Sequence, residues 1–108
     1  MYDLRNKYTW GTYLWGYIHT ITIIDCMNPD HYTNMVINLL KNIKNVIYCQ
    51  GCVPIYEQYL EKLDGLDKNE PMVLFRWSVE LHNEVNRKLN KPEMTYDEAV
   101  AQWCNKTI

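Results

Sequence analysis

The chain has 108 residues, 47% of them hydrophobic, which is enough for one domain around one core and too few for two. A formal charge of -2 offers no basic footprint for neutralising phosphates, so nucleic acid is not an expected partner. No stretch reaches the roughly 18 apolar residues of a membrane span, and Met1-Tyr2-Asp3-Leu4-Arg5-Asn6-Lys7 carries no secretory apolar run, so the expectation is a soluble chain with no signal peptide and no membrane partner.

Leu14, Tyr17, Ile18, Ile21 and Ile24 recur at helical spacing and predict a first helix over 13–26, although the β-branched run from Ile21 to Ile24 would also suit a strand. Asn28-Pro29-Asp30 is a start signal, a cap followed by proline in the first turn. It opens a second helix whose face is Val36, Leu39, Leu40, Ile43, Val46 and Ile47 and whose end falls near Tyr48. A third helix begins around Cys49-Gln50-Gly51-Cys52, with Pro54 tolerated in its first turn, Ile55, Tyr59, Leu60 and Leu63 along it, and Asp64-Gly65 at its end. After a polar, turn-rich stretch from Asp67 to Pro71, the series Leu74, Trp77, Leu81, Val85 and Leu89 marks a fourth helix, stopped by Lys91-Pro92. Thr95 and Glu98 fit a capping box, which predicts a short fifth helix running to about Trp103. No alternating strand pattern competes. The expected fold class is all-α, a four-helix bundle with a short fifth helix, in a single domain over 1–108.

Two thiols three positions apart can close a small disulfide, and at a helix start the unpaired backbone N–H groups stabilise a thiolate. Cys49 and Cys52 meet that condition and point to thiol redox chemistry, while half of a metal site and an incidental pair are the alternatives. Zinc would need two more ligands from His19, His31, His82, Cys26 and Cys104, none of which forms a second close pair. A thioredoxin-like arrangement would need strands around the motif, and none is expected. Trp15 and His19 lie one turn apart on the first helix, and His82 and Asn86 share a face of the fourth, with Asn83 beside them. Core packing and solvated structural roles are the ordinary readings of each pair. Taken together, the two helices offer stacking and hydrogen-bonding groups to one ring-shaped cofactor.

The run Trp10-Gly11-Thr12-Tyr13-Leu14-Trp15-Gly16-Tyr17-Ile18-His19, the pair Cys49/Cys52, the segment from Trp77 to Pro92, and Trp103 follow in the order and spacing of the flavin-linked sulfhydryl oxidases of the Erv/ALR family. The most specific element is His82-Asn83-x-Val85-Asn86-x-x-Leu89-x-Lys91-Pro92. The chain resembles above all the small single-domain members encoded by large DNA viruses. What the resemblance implies is a helical bundle, usually a homodimer, with FAD held between the helices and no nucleotide-binding glycine motif. The implied FAD site is Gly11, Thr12, Trp15, His19, Tyr48, His82, Asn83, Val85, Asn86, Leu89, Lys91 and Trp103. In that role rings stack on the cofactor, amides bond heterocycle edges and Lys91 meets the phosphates. Cys52 would then be the flavin-proximal thiol and Cys49 the thiol that exchanges with substrate through a mixed disulfide.

On this resemblance the chain is an FAD-dependent thiol oxidase that forms disulfides in substrate proteins, or in an upstream thiol relay protein, and passes the electrons to O2 with production of hydrogen peroxide. For a viral protein the implied place is the host cytoplasm and the virion. The chain departs from the family at several points: Ile47-Tyr48 stands where Tyr-Pro is common, Thr12 where Arg is common, and Val79 and Tyr96 where some members carry cysteines. Cys104 is either an inert thiol or a shuttle, and a Cys26–Cys104 bridge is conceivable. The rival readings are a catalytically silent dimerisation module that keeps the fold and a zinc-stabilised helical adaptor.

Overall fold

A computed structural model describes residues 7–27, 29–44 and 51–104, with side chains from residues 13, 33 and 51 onward in these three stretches. Its α-helices are α1 (Lys7–Met27), α2 (Pro29–Ile43), α3 (Val53–Lys62), α4 (Val73–Lys88) and α5 (Tyr96–Trp103), with a 3-10 turn at Leu63–Gly65. Among the described residues there is no strand, and no helix is long and apolar enough to cross a membrane. The all-α expectation holds. The one sizeable boundary difference is at α1, which starts six residues before the predicted position; Gly11, Thr9 and Thr12 are weak helix formers, and the helix continues through them regardless. The predicted extension of α2 to Tyr48 lies outside the described residues.

The ends of the helices follow from local chemistry. Pro54 sits in the first turn of α3, where a missing N–H costs nothing, and Lys62 faces the carbonyl end. Helix α4 ends in a Schellman motif: Lys91 N–H donates to the Asn86 carbonyl at 2.8 Å and Asn90 N–H to the Arg87 carbonyl at 3.3 Å. Asn90 takes the left-handed conformation this turn requires, at φ 57°. Pro92 then prevents the helix from resuming. The capping box of α5 is complete, with Glu98 N–H donating to Thr95 Oγ1 at 3.1 Å and Thr95 N–H to Glu98 Oε1 at 3.0 Å.

Helix α4 is the spine. It packs on α1, α3 and α5, while α1 also packs on α2. One side of α4 gives Leu74, Trp77, Leu81 and Val85 to a large core shared with Ile18, Ile21, Val36, Leu40, Tyr56 and Leu63. Trp77 closes this core without an orphan donor, since its indole N–H reaches the Tyr59 carbonyl at 2.7 Å. The Tyr56 hydroxyl likewise donates to the Leu40 carbonyl, joining α3 to α2. The other side of α4 gives Phe75 and Val79 to a smaller cluster with Ala99, against which Ile23, Cys26, Tyr96, Trp103 and Cys104 pack. Val79 and Tyr96, where the resemblance implies cysteines in some members, both belong to this smaller cluster.

Candidate functional site

Between the two cores, α1, α4 and α5 bring aromatic and imidazole rings into one layer. Trp15 and His19 are one turn apart on α1, and His82 comes from the middle of α4. Trp15 stacks on His82 with ring centroids 3.9 Å apart and planes 10° from parallel. The rings of His19 and Trp103 lie 5.1 Å apart, tilted at 43°. Gly16 lies beside the same ring: a Cβ there would sit 3.8 Å from Trp103, an ordinary van der Waals contact. The structure therefore brings together Trp15, His19, His82 and Trp103, four of the residues singled out in the sequence.

The histidines are wired as well as stacked. His19 Nε2 lies 3.1 Å from His82 Nδ1, and His19 Nδ1 lies 2.9 Å from Ser78 Oγ. Ser78 and Thr22 are fully buried, and the Thr22 hydroxyl bonds back to the carbonyls of Ile18 and His19 at 3.0 and 2.9 Å. Burial, reinforced by neighbouring His82, lowers the pKa of His19 to about 3. Burial, with the Lys91 cation adding to it, lowers that of His82 to about 4. Both rings are neutral at physiological pH. Among the described residues no buried side-chain nitrogen or oxygen lacks a partner.

The remaining expected site residues are placed as follows. Asn83 is tied at both ends of its amide, donating to the Met94 carbonyl at 2.5 Å and accepting from Met94 N–H at 2.8 Å, so it closes the loop that carries Lys91. Asn86 is half-buried one turn beyond His82; Leu89 and Lys91 are exposed at the end of the same helix. Val85 is buried in the large core, against which Trp15 also packs. The surroundings of Gly11, the side chain of Thr12, and Tyr48 and Cys49 lie outside what the structure describes.

Cys52 is the N-cap residue of α3, is buried at 5% exposure among the large-core residues, and is disulfide-bonded. Beside it, Gly51 is exposed, and a Cβ at Gly51 would come within 3.2 Å of Lys88 Cε and 3.9 Å of Lys88 Nζ. A cation from the end of α4 thus lies alongside the cysteine motif, a neighbour that spacing along the chain could not reveal. Cys26 and Cys104 are free thiols, half-buried against the smaller cluster. The Cys26 thiol donates to the Thr22 carbonyl at 3.2 Å, and burial raises the pKa of both thiols, which makes them poor nucleophiles. Among the described residues no group of three or more His, Cys, Asp or Glu side chains is arranged to hold a metal ion. Ser78 was not singled out in the sequence; its only signal there is its position four residues before His82, on the face that turns to α1.

Comparison with known proteins converges on one family. A probable FAD-linked sulfhydryl oxidase of Acanthamoeba polyphaga mimivirus is 27% identical over 102 residues, covering 92% of this chain and 71% of the viral protein. The mitochondrial FAD-linked sulfhydryl oxidase ERV1 of Saccharomyces cerevisiae is 28% identical over 95 residues, covering 86% of this chain and 49% of the yeast enzyme, so the chain spans about half the length of that relative. No solved structure matches. The model of the Erv1 / Alr family matches residues 12–104, nearly the whole chain, and the chain belongs to that family.

Proposed function

We propose that this protein is an FAD-linked sulfhydryl oxidase whose cofactor is held by the ring layer of α1, α4 and α5. The observation that carries this reading is the neutral, half-buried stack of Trp15 on His82, continued by His19 and Trp103 and flanked by Asn86, Leu89 and the Lys91 cation. A flat heteroaromatic group joined to a diphosphate needs ring faces, an amide edge and a cation, and these residues supply all three. Trp15, His19, His82 and Trp103 would provide the stacking wall, Asn86 a polar edge and Lys91 the phosphate contact. Asn83 serves the site by fixing the loop from Asn90 to Met94. Gly11, Thr12 and Tyr48 complete the proposed set on the family pattern, and Val85 supports it from the core side.

When bound, FAD would supply the two-electron acceptor for the dithiol, with O2 as terminal oxidant and hydrogen peroxide as product. The chain's own part is thiol chemistry. A substrate thiolate attacks Cys49 of the Cys49–Cys52 disulfide, Cys52 leaves as thiolate, and the second substrate thiol resolves the mixed disulfide. The start of α3 and the Lys88 cation both favour the thiolate form at this position. Substrates are dithiol proteins or a thiol relay protein. Similarity to a viral relative favours the host cytoplasm and the virion as the place of action. Cys49→Ser and Cys52→Ser are each expected to abolish oxidation of a protein dithiol, measured as oxygen uptake, with FAD still bound at wild-type stoichiometry. Wild-type oxygen uptake by either variant would overturn the assignment.

The working unit is proposed as a homodimer paired through α1. Tyr13, Tyr17, Ile24 and Met27 form an exposed apolar stripe along one face of that helix, with Tyr13 at 75% and Met27 at 78% exposure. A stripe of this kind, backed by a helix already packed on its other face, suits a second copy. Tyr13→Lys with Met27→Lys should shift sedimentation from dimer to monomer; an unchanged dimer would remove α1 from the interface.

A further inference from the structure

We infer that Ser78 is a positioning residue that sets the tautomers of both buried histidines and leaves His82 Nε2 as a bare hydrogen-bond acceptor, which selects a donor on the cofactor, a sugar hydroxyl or an amino group, over a phosphate oxygen. This rests on the reading of the ring layer as the cofactor's seat.

One proton decides both tautomers. Ser78 Oγ has a single hydrogen and two lone pairs. Its nearest neighbour is the Phe75 carbonyl at 2.6 Å. A carbonyl only accepts, so that contact takes the Ser78 proton. The Thr22 hydroxyl, 3.4 Å away, has its own proton engaged by the nearer carbonyls of Ile18 and His19. What Ser78 Oγ turns to His19 Nδ1 at 2.9 Å is therefore a lone pair, and His19 must carry its proton on Nδ1. A neutral imidazole has one N–H, so His19 Nε2 is bare. Across the 3.1 Å gap His82 must then donate from Nδ1, and its own Nε2 is bare in turn. One hydroxyl orientation fixes four ring nitrogens. His82 Nε2 meets no hydrogen-bond partner among the described residues, so it is the open end of the relay.

Burial keeps both rings neutral, and the Lys91 cation beside His82 adds to it. The alternative arrangement has Ser78 donating to His19 Nδ1. It would reverse every link and present an N–H at His82 Nε2, which would suit a phosphate oxygen. The shorter contact to Phe75 decides against it. Tautomers are settled by the network and can be read directly by resonance.

The test is long-range 1H–15N correlation spectroscopy on protein carrying 15N-labelled histidine, with and without FAD, near neutral pH. Both His19 and His82 are expected as Nδ1–H tautomers in both forms, with the His82 Nε2 resonance shifting when FAD binds. In Ser78→Ala the Nδ1–H of His19 loses its acceptor. Both rings are then expected to switch to Nε2–H, with FAD affinity falling about tenfold for an acceptor turned donor. Ser78→Thr, which keeps the hydroxyl, should restore the wild-type tautomers. An Nε2–H tautomer at either ring of the wild-type protein, a mixture of tautomers, or unchanged tautomers in Ser78→Ala would refute the relay. Correct tautomers with a His82 Nε2 resonance unmoved by FAD would instead refute the cofactor-selecting role, and with it the placing of the cofactor on this layer.

Discussion

The two sides of α4 are buried to similar depth with opposite chemistry. Toward α2 and α3 the helix presents Leu74, Trp77, Leu81 and Val85 to a core of aliphatic and aromatic carbon, where the Trp77 N–H and the Tyr56 hydroxyl each reach a carbonyl. Toward α1 and α5 the same helix buries Ser78 and places His82 against His19. Burying apolar area stabilises the fold by roughly 25 cal/mol per Å². Burying imidazoles and hydroxyls contributes little net stability and is tolerated only when every group is paired. Most apolar burial lies in the large core, to which α1 also gives Ile18 and Ile21, whereas the polar ring cluster sits where α4 meets α1 and α5.

That division can be broken from either side. Leu81→Ala, at a fully buried position of the large core, should cost about 3 kcal/mol by lost burial and cavity formation. Urea unfolding would show it as a lowered midpoint, while the folded fraction still binds FAD with wild-type affinity. A large loss of FAD affinity would mean that the two sides are not separable.

The histidine side makes a prediction of opposite character, in pH. Both folded-state pKa values lie below the ordinary 6.5, at about 3 for His19 and about 4 for His82. The unfolded chain therefore binds protons that the folded chain refuses, and stability rises with pH in that window. The contribution is fully present above 6.5 and is lost as pH falls toward 4, by at most about 1.4 kcal/mol per pH unit for each ring. Urea unfolding of the cofactor-free protein at pH 7 and pH 5 measures it, and a pH-independent midpoint would contradict the neutral pair.

A smaller effect is expected where the two sides meet the α4–α5 loop. Asn83→Ala removes both bonds to Met94 and should cost about 1 to 2 kcal/mol. It should also raise the FAD dissociation constant severalfold by loosening the segment that carries Lys91. Unchanged affinity would leave Asn83 as a strut for α5 alone.

Much of this fold is legible in the sequence because its signals are local. Pro29, Pro54, Lys91-Pro92 and the Thr95/Glu98 box mark helix ends, and the structure places the ends of α3, α4 and α5 close to where those residues predict them. The start of α1 is not legible, since nothing local distinguishes Lys7 to Thr12 as helical. For the candidate site, the ring residues are visible as spaced pairs, and only the fold shows that Trp15 lies flat on His82. Ser78 and Lys88 escape a linear reading. A mid-helix serine and a terminal lysine are ordinary along the chain, and they matter through contacts to His19 and Gly51, 59 residues away in the first case.

The measurement that bears most directly on the account is the visible absorbance spectrum of the purified protein, recorded before and after a dithiol is added under nitrogen and again after air is admitted. The account predicts flavin bands that bleach under nitrogen, recover in air, and are weakened in His82→Ala by loss of bound cofactor. A protein that stays colourless after incubation with FAD, or whose bound flavin is not reduced by dithiol, would contradict it.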